Sequence, residues 1–317
     1  MKIIFLGSGE FGLECLNKLA HSGHFPRFVV TQPPHPAGRG RKPKPTPVAH
    51  WANLNSIPFI ETENVNTPQM IDEISAYEPD LIIVIAFGQK IGNELIGLSP
   101  KGAINVHASL LPKYRGAAPI NWAIINGEKQ TGISIIALAE KMDAGDVLAQ
   151  AQTNIGPNET AAQLHDKLAK IAAPLLLNTI EQIAGGTAVY TPQEHSKATL
   201  APKLKKSDGF ISFNEPAEIL HRKIRGFWPW PGASAMYISK KADKSLRVTI
   251  ATAEVARDSN PADLPPGTLD ENLNVICAQD ALKIIKIKPT GSRLMNFRDF
   301  VNGHQTQAGD SFIKIEQ

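Results

Sequence analysis

Apolar residues in the first part of the chain fall in short runs separated by amphipathic stretches. Lys2–Leu6, Phe28–Thr31, Leu81–Phe87, Ala103–His107, Ile133–Leu138 and Val147–Thr153 read as strands. Several are unbroken in Val, Ile and Leu, as strands covered on both faces should be. Between them, Glu10–His21, Pro47–Asn55, Pro68–Tyr77 and Ala117–Asn126 are helix-like, and Glu159–Ile183 is a longer amphipathic segment. Alternation of this kind predicts an α/β fold with a doubly wound, mostly parallel, Rossmann-like sheet. The pattern then breaks. Thr191–Lys206 is polar, punctuated by Pro and aperiodic, which is how a linker reads. Beyond it come a helix near Pro216–Arg225 and β-like runs at Ala233–Ile238, Leu246–Val255, Asn274–Ala278 and Ala281–Ile287. Gly and Pro turns between those runs predict a small OB-like β-barrel. The chain therefore divides into an α/β domain over 1–189, a linker over 190–206 and a barrel domain over 207–317.

Composition agrees with two folded domains. The 317 residues are 42% hydrophobic and 20% charged, values that exclude a disordered or fibrous chain. No apolar run approaches the roughly 18 residues of a membrane span, and Ile3–Leu6 is too short for the core of a signal peptide. Cys15 and Cys277 lie in different halves and form no disulfide framework, so a reducing cytoplasm is the expected compartment. A monomer is expected there. The net charge of +3 becomes informative when divided. Residues 1–202 carry 16 Lys and Arg against 17 Asp and Glu, net −1, whereas residues 203–317 carry 17 against 13, net +4. The basic excess sits in the C-terminal third.

Three features are candidates for chemistry. Gly7-Ser-Gly9-Glu-Phe-Gly12 follows a strand and opens a helix, the context of a dinucleotide-binding turn. That reading also needs an acidic residue about 20 positions on to hold a ribose hydroxyl, and no Asp or Glu occurs between Glu14 and Glu61. A plain strand-to-helix turn is the better reading. An NADP-dependent oxidoreductase, using the later arginines, stays as a minor alternative.

The second feature is the run from Gly102 to Gly116. Asn105 and His107 stand two apart on a strand and so share one face. An amide can donate to an oxyanion while an imidazole beside it exchanges a proton near neutral pH. A lone histidine at a strand end is usually structural, but the paired Asn and the Pro/Gly-pinned loop behind it favour chemistry. Lys141-Met-Asp143-Ala-Gly145-Asp146 follows between two strands. Its carboxylates could orient a nearby His and raise its pKa, or simply form a hairpin turn. Sequence alone does not bring Asp143 to His107. No Ser or Cys nucleophile motif and no metal-ligand spacing is present.

The third is Thr31 to Pro45, where Arg39, Arg41, Lys42 and Lys44 fall within six residues studded with Gly and Pro. Such a stretch is expected to be neither helix nor strand. It could grip phosphates, although a charge run is more often a solvated loop. Its place after a strand end favours function.

Together, Asn105-Val-His107-Ala-Ser109-Leu-Leu-Pro112-x-x-x-Gly116 and Asp143-x-Gly-Asp146 resemble the 10-formyltetrahydrofolate-dependent formyltransferases. The stretch Gln32-Pro-x-x-Pro36-Ala-Gly38-Arg39-Gly40-Arg41-Lys42 narrows the resemblance to family members acting on initiator tRNA, and Ile224-Arg225-Gly226-Phe227-x-Pro229-Trp230-Pro231 resembles the same members. The resemblance implies formyl transfer from 10-formyltetrahydrofolate, as cosubstrate, to the α-amino group of methionine on initiator methionyl-tRNA, with no metal. It implies catalysis by Asn105, His107 and Asp143. Folate would lie by Phe87, Gly88, Ser109, Leu110, Leu111, Pro112 and Asp146. The tRNA would meet Arg39, Arg41, Lys42, Lys44, Lys203, Lys205 and Lys206. A sugar-nucleotide formyltransferase or a 10-formyltetrahydrofolate hydrolase would share the catalytic residues, but the basic loop speaks against both. A non-enzymatic RNA-binding protein leaves Asn105, His107 and Asp143 unexplained.

Overall fold

A computed structural model describes residues 1–37, 42–241, 244–257 and 264–316. The chain forms two compact units. The first comprises Met1–Pro119, Gln130–Asn154 and His165–Pro202; the second comprises Ile120–Lys129, Ile155–Leu164 and Lys203–Gln317.

The elements up to the first crossing are β1 (Ile3–Gly7), α1 (Leu13–Ala20), β2 (Pro26–Thr31), β3 (His35–Ala37), β4 (Lys42–Lys44), α2 (Pro47–Leu54), β5 (Phe59–Glu61), α3 (Pro68–Ser75), β6 (Leu81–Ile85), α4 (Asn93–Gly97) and β7 (Ala103–His107). After them come α5 (Pro119–Ile125), β8 (Gln130–Ala137), β9 (Val147–Asn154) and α6 (Ala161–Ala184). Seven strands make one sheet in the order β5-β2-β1-β6-β7-β8-β9. The pairs from β5 through β7 are parallel, while β8 and β9 run antiparallel at one edge. Every residue of β1 and β6 is buried, as their unbroken apolar runs require. Ile4, Leu6, Phe28, Val30, Met70, Ile74, Ile82 and Val84 form much of the core on one face. Strand order reverses between β1 and β6, and crevices outside the carboxyl ends of strands at such a point are where open α/β sheets bind ligands.

Two expectations from sequence need correction. The strand expected over Leu81–Phe87 stops at Ile85, because Ala86 (φ 48°) and Gly88 (φ 82°) leave the extended region. The stretch around Arg39, expected not to be strand-like, begins and ends as the antiparallel pair β3–β4. Pro36 faces Pro43, so the two residues without an N–H share one rung and the flanking rungs keep their donors. Arg39 and Arg41 lie outside the described residues; Lys42 and Lys44 are exposed on β4.

The second unit contains α7 (Ala217–Phe227), β10 (Ala233–Ser239), β11 (Lys244–Ala256), β12 (Val275–Ile276), β13 (Ala281–Pro289), β14 (Met295–Asn296), α8 (Phe297–His304) and β15 (Ser311–Ile313). Its barrel-like antiparallel sheet has the order β12-β13-β11-β10-β15, with β14 on β13. Register shifts in β11 near Thr252 bend it. The core gathers Leu220 and Ile224 of α7, Ala235, Tyr237, Val248, Ile250, Ile287, and Phe300 and Phe312. Among the described residues no helix is long and apolar enough to cross a membrane.

Candidate active site

Alternation along β7 points Asn105 and His107 to one face of the sheet. The connection from β8 to β9 folds over that face and brings Asp143 to both. Asn105 Nδ2 donates to Asp143 Oδ1 at 3.4 Å, and His107 Nδ1 lies 3.6 Å from Asp143 Oδ2. The His107 and Asp143 side chains are only 6% and 10% exposed. Burying a carboxylate is costly unless polar partners surround it. Asp143 has such partners, since Oδ2 also accepts the Gly116 N–H at 2.8 Å.

The tautomer of His107 follows from its other contact. Nε2 is 2.8 Å from the Tyr114 carbonyl oxygen, which can only accept, so Nε2 carries a proton. Nδ1 is then the ring position that can take or release a second one, with the Asp143 carboxylate beside it. Asn105 has a second amide N–H for a further acceptor.

Backbone geometry fixes this arrangement. Asp143 adopts φ 53° and Tyr114 φ 63°; a left-handed conformation is tolerable for Asp and uncommon for a bulky residue. Gly145 has no room for a side chain, because a Cβ would lie 1.9 Å from the Ala137 carbonyl oxygen. The loop is held from a second side by Gln193, whose Nε2 donates to the Asp143 and Gly145 carbonyls at 2.9 and 2.7 Å. Arg115 in turn donates to Gln193 Oε1 at 2.6 Å. The segment containing Gln193, read from sequence as linker, is stitched into the first unit here. Arg115 N–H donates to Thr199 O, and Ala201 N–H to Arg115 O, at 2.8 and 2.7 Å.

Gln193, Arg115 and Tyr114 were not singled out from sequence, and Gly116 entered only as the last residue of the motif, with no role. Tyr114 and Gly116 act through backbone atoms, which no side-chain pattern reveals. Gln193 is one amide in a polar, aperiodic stretch and carries no signal of its own.

The residues expected near folate divide by exposure. Gly88 is exposed, and Leu110, Pro112 and Asp146 are half-buried. Phe87 is buried in the core of the sheet, and its carbonyl accepts Gln32 Nε2 at 2.8 Å. Ser109 and Leu111 are buried and serve the loop: Ser109 Oγ donates to Lys113 O at 2.6 Å, and Leu111 N–H to Ser134 Oγ at 3.0 Å. Gln150 Nε2 clamps the same loop through Leu111 O and Ser134 Oγ. Lys203, Lys205 and Lys206 are exposed in the second unit. Burial pushes the Cys15 and Cys277 thiols up to about 12, so both are inert at neutral pH. Among the described residues no group of three or more His, Cys, Asp or Glu is placed to hold a metal ion.

Residues 1–180 match the family described as formyl transferase, and residues 203–305 match its C-terminal domain. The chain belongs to the formyl transferase family. Among its relatives, the methionyl-tRNA formyltransferase of Citrifermentans bemidjiense is 38% identical over 98% of this chain and 95% of the relative. That of Koribacter versatilis is 39% identical over 99% of each. The fold also resembles solved structures of low identity. HypX of Aquifex aeolicus in complex with tetrahydrofolic acid has a TM-score of 0.65 at 17% identity, covering 100% of this chain and 51% of HypX. The sugar 3N-formyl transferase WlaRD, in the presence of dTDP and 5-N-formyl-THF, has a TM-score of 0.65 at 16% identity, covering 92% of this chain and 99% of WlaRD.

Proposed function

We propose that this formyl transferase moves the formyl group of 10-formyltetrahydrofolate to the α-amino group of methionine on initiator methionyl-tRNA. The observation that carries the reading is the meeting of Asn105, His107 and Asp143 on one sheet face in a chain matched nearly end to end by methionyl-tRNA formyltransferases. The amine attacks the formyl carbon and forms a carbon–nitrogen bond. The carbonyl oxygen becomes an oxyanion, to which the remaining Asn105 N–H donates. His107 accepts the departing amine proton at Nδ1, directly or through a water, and Asp143 stabilises the imidazolium. Collapse re-forms the carbonyl, breaks the bond to N10 of the folate and returns the proton to that nitrogen. No acyl-enzyme forms, so neither buried cysteine is needed.

The folate site would lie at the carboxyl end of β6, where Ala86 and Gly88 are exposed, together with the half-buried Leu110, Pro112 and Asp146. Backbone N–H and C=O groups at such a switch point are suited to the polar edge of a pterin ring. Phe87, Ser109 and Leu111 would shape that wall from behind. For tRNA, the proposed contacts are Arg39, Arg41, Lys42 and Lys44 from the first unit and Lys203, Lys205 and Lys206 from the second. In this reading residues 1–189 do the chemistry, 190–206 connect, and 207–317 bind tRNA, as a monomer in the cytoplasm.

The test is formylation of purified methionyl initiator tRNA with 10-formyltetrahydrofolate, with methionyl elongator tRNA as control. N-formylmethionyl product on the initiator, and far less on the elongator, is the expected result. No product on the initiator tRNA overturns the reading.

A further inference from the structure

Beyond its lysines, the second unit carries an exposed aromatic for which the reaction above has no use. Trp228-Pro-Trp230-Pro follows α7 directly, and Trp230 is 54% exposed. Large apolar side chains at that exposure are ordinary when scattered. Trp230 is not scattered, because the turn Lys206–Gly209 packs against its neighbours. A Cβ on Gly209 would lie 2.3 Å from the Gly232 carbonyl oxygen and 3.3 Å from Pro231 Cγ. The same close approach is continued by Ile211 N–H donating to Ser234 O at 3.2 Å. Lys205 and Lys206, which open that turn, therefore stand beside the Trp-Pro segment. On the next residue, Phe210, the Arg247 guanidinium sits over the ring, 5.0 Å from its centroid. The strip thus runs from Arg247 through Phe210 and the lysine turn to Trp230, all within the second unit. Its one carboxylate, Asp208, accepts the Lys205 backbone N–H at 2.6 Å. The Lys205 and Lys206 ammonium groups have no ion pair among the described residues.

We propose that Trp230 is a stacking platform for an unpaired base of the RNA whose adjoining phosphates are held by Lys205, Lys206 and Arg247. The proposal rests on the tRNA reading above and deepens it. Two properties commit the surface to RNA. A half-exposed indole offers its π-surface to an unstacked base, and the Lys205–Lys206 turn packed against the Trp-Pro segment supplies cations for the adjoining phosphates. The flanking prolines restrict the backbone on both sides of the indole, so little conformational freedom is lost when a base settles on it.

Binding of purified initiator methionyl-tRNA by the full chain tests this, measured across a salt series. Trp230→Ala is expected to weaken Kd roughly fivefold to 150-fold, the range for one lost base–aromatic stack. Its slope of log Kd against log salt stays at the wild-type value, because no phosphate contact is lost. Trp230→Phe keeps a platform and stays within about threefold. The double substitution Lys205→Gln, Lys206→Gln instead flattens the slope by roughly 0.7–0.9 for each contact removed. A readout on the wild-type chain stands if Trp230→Ala fails to fold. Trp230 is the most exposed of the four tryptophans, with Trp51 at 8% and the other two half-buried, so saturating tRNA should shield the emission that acrylamide quenches. Wild-type affinity in Trp230→Ala, or unchanged acrylamide quenching, overturns the platform alone. Absence of tRNA binding by the wild-type chain overturns the earlier reading and this one with it. Loss of binding to phosphatidylglycerol vesicles in Trp230→Ala, with tRNA binding intact, overturns it in favour of a membrane surface.

Discussion

Asp143 in the first unit and Lys206 in the second are both charged residues in turns, and they are held in opposite ways. The Asp143 carboxylate is 10% exposed and meets Asn105, His107 and the Gly116 N–H. Its own backbone carbonyl is gripped by Gln193, and its φ of 53° is kept by that surrounding network. The Lys206 side chain is exposed and has no ion pair among the described residues. The difference follows from solvation. A buried carboxylate must be surrounded by donors or it will not stay charged, so burial brings fixed geometry with it. An exposed ammonium keeps its water and its freedom until a polyanion displaces its counterions. Damage to the first region should therefore appear in turnover, and damage to the second in tRNA affinity and its salt dependence.

The largest effect that would break this contrast is at Asn105. Asn105→Asp exchanges an N–H donor for a carboxylate beside Asp143 Oδ1, 3.4 Å away in the parent, and puts negative charge where the oxyanion forms. Loss of one such donor costs about 100- to 1,000-fold in kcat, and the added charge should bring the variant to the upper end. KM for tRNA should stay within a fewfold. A kcat near wild type in steady-state formylation removes Asn105 from the chemistry.

Gly145→Ala tests the backbone rather than a functional group. The added Cβ would meet the Ala137 carbonyl at 1.9 Å, so the 138–146 loop must shift and carry Asp143 with it. Misplacing a catalytic group by about 1 Å can cost around 100-fold. We expect a fall of 10- to 100-fold in kcat with folate affinity, from a fluorescence titration, changed far less. Equal losses in both would mean that the loop shapes the folate site instead.

How much of this was legible in the sequence follows the same division. Asn105 and His107 could be paired because strand alternation is a local rule, and the sheet could be drawn because its runs of Val, Ile and Leu have only one comfortable environment. Asp143 was visible as turn chemistry, but its reach across to β7 is set by a nine-residue connection whose path no local pattern encodes. Gln193 was invisible for a physical reason: its polarity answers two buried carbonyls from a distant loop, and in a one-dimensional string that is indistinguishable from polarity answering water. The Pro-rich stretch at 35–44 misled because Pro usually ends a strand, whereas here Pro36 and Pro43 face each other and share the loss.

A smaller effect is expected at Gln193, which sharpens the comparison by separating holding from reacting. Gln193→Ala leaves the Asp143 and Gly145 carbonyls without this donor and removes the Gln193 acceptor from Arg115, whose guanidinium keeps its contact with His195. Each unsatisfied buried group costs about 1–3 kcal/mol, part of which relaxation and water recover. A decrease of roughly tenfold in kcat is expected, together with a lower Tm and an unchanged salt slope for tRNA. A change in salt slope would show that Gln193 belongs with the RNA-facing surface.

The smallest effect asks whether the contrast belongs to the units or to burial itself. The second unit also buries a titratable group. His221 of α7 is 8% exposed beside a cavity of about 390 Å³ that is also lined by Glu218, Arg222, Arg225 and Glu254. Burial first, and the Arg225 charge second, hold its imidazole below the ordinary value of 6.5. The folded state therefore binds this proton less readily than the unfolded chain, and stability must rise with pH through that window. The contribution is complete above about pH 6.5 and declines as pH falls below it. In scanning calorimetry the Tm of the wild-type chain should drop more between pH 7.5 and 5.5 than that of His221→Gln, which has no proton to gain. Each kcal/mol of that difference corresponds to roughly 2–4 °C in a protein of this size. Parallel pH dependence in the two proteins would show that His221 reaches water on protonation, and the contrast would then belong to the units rather than to burial.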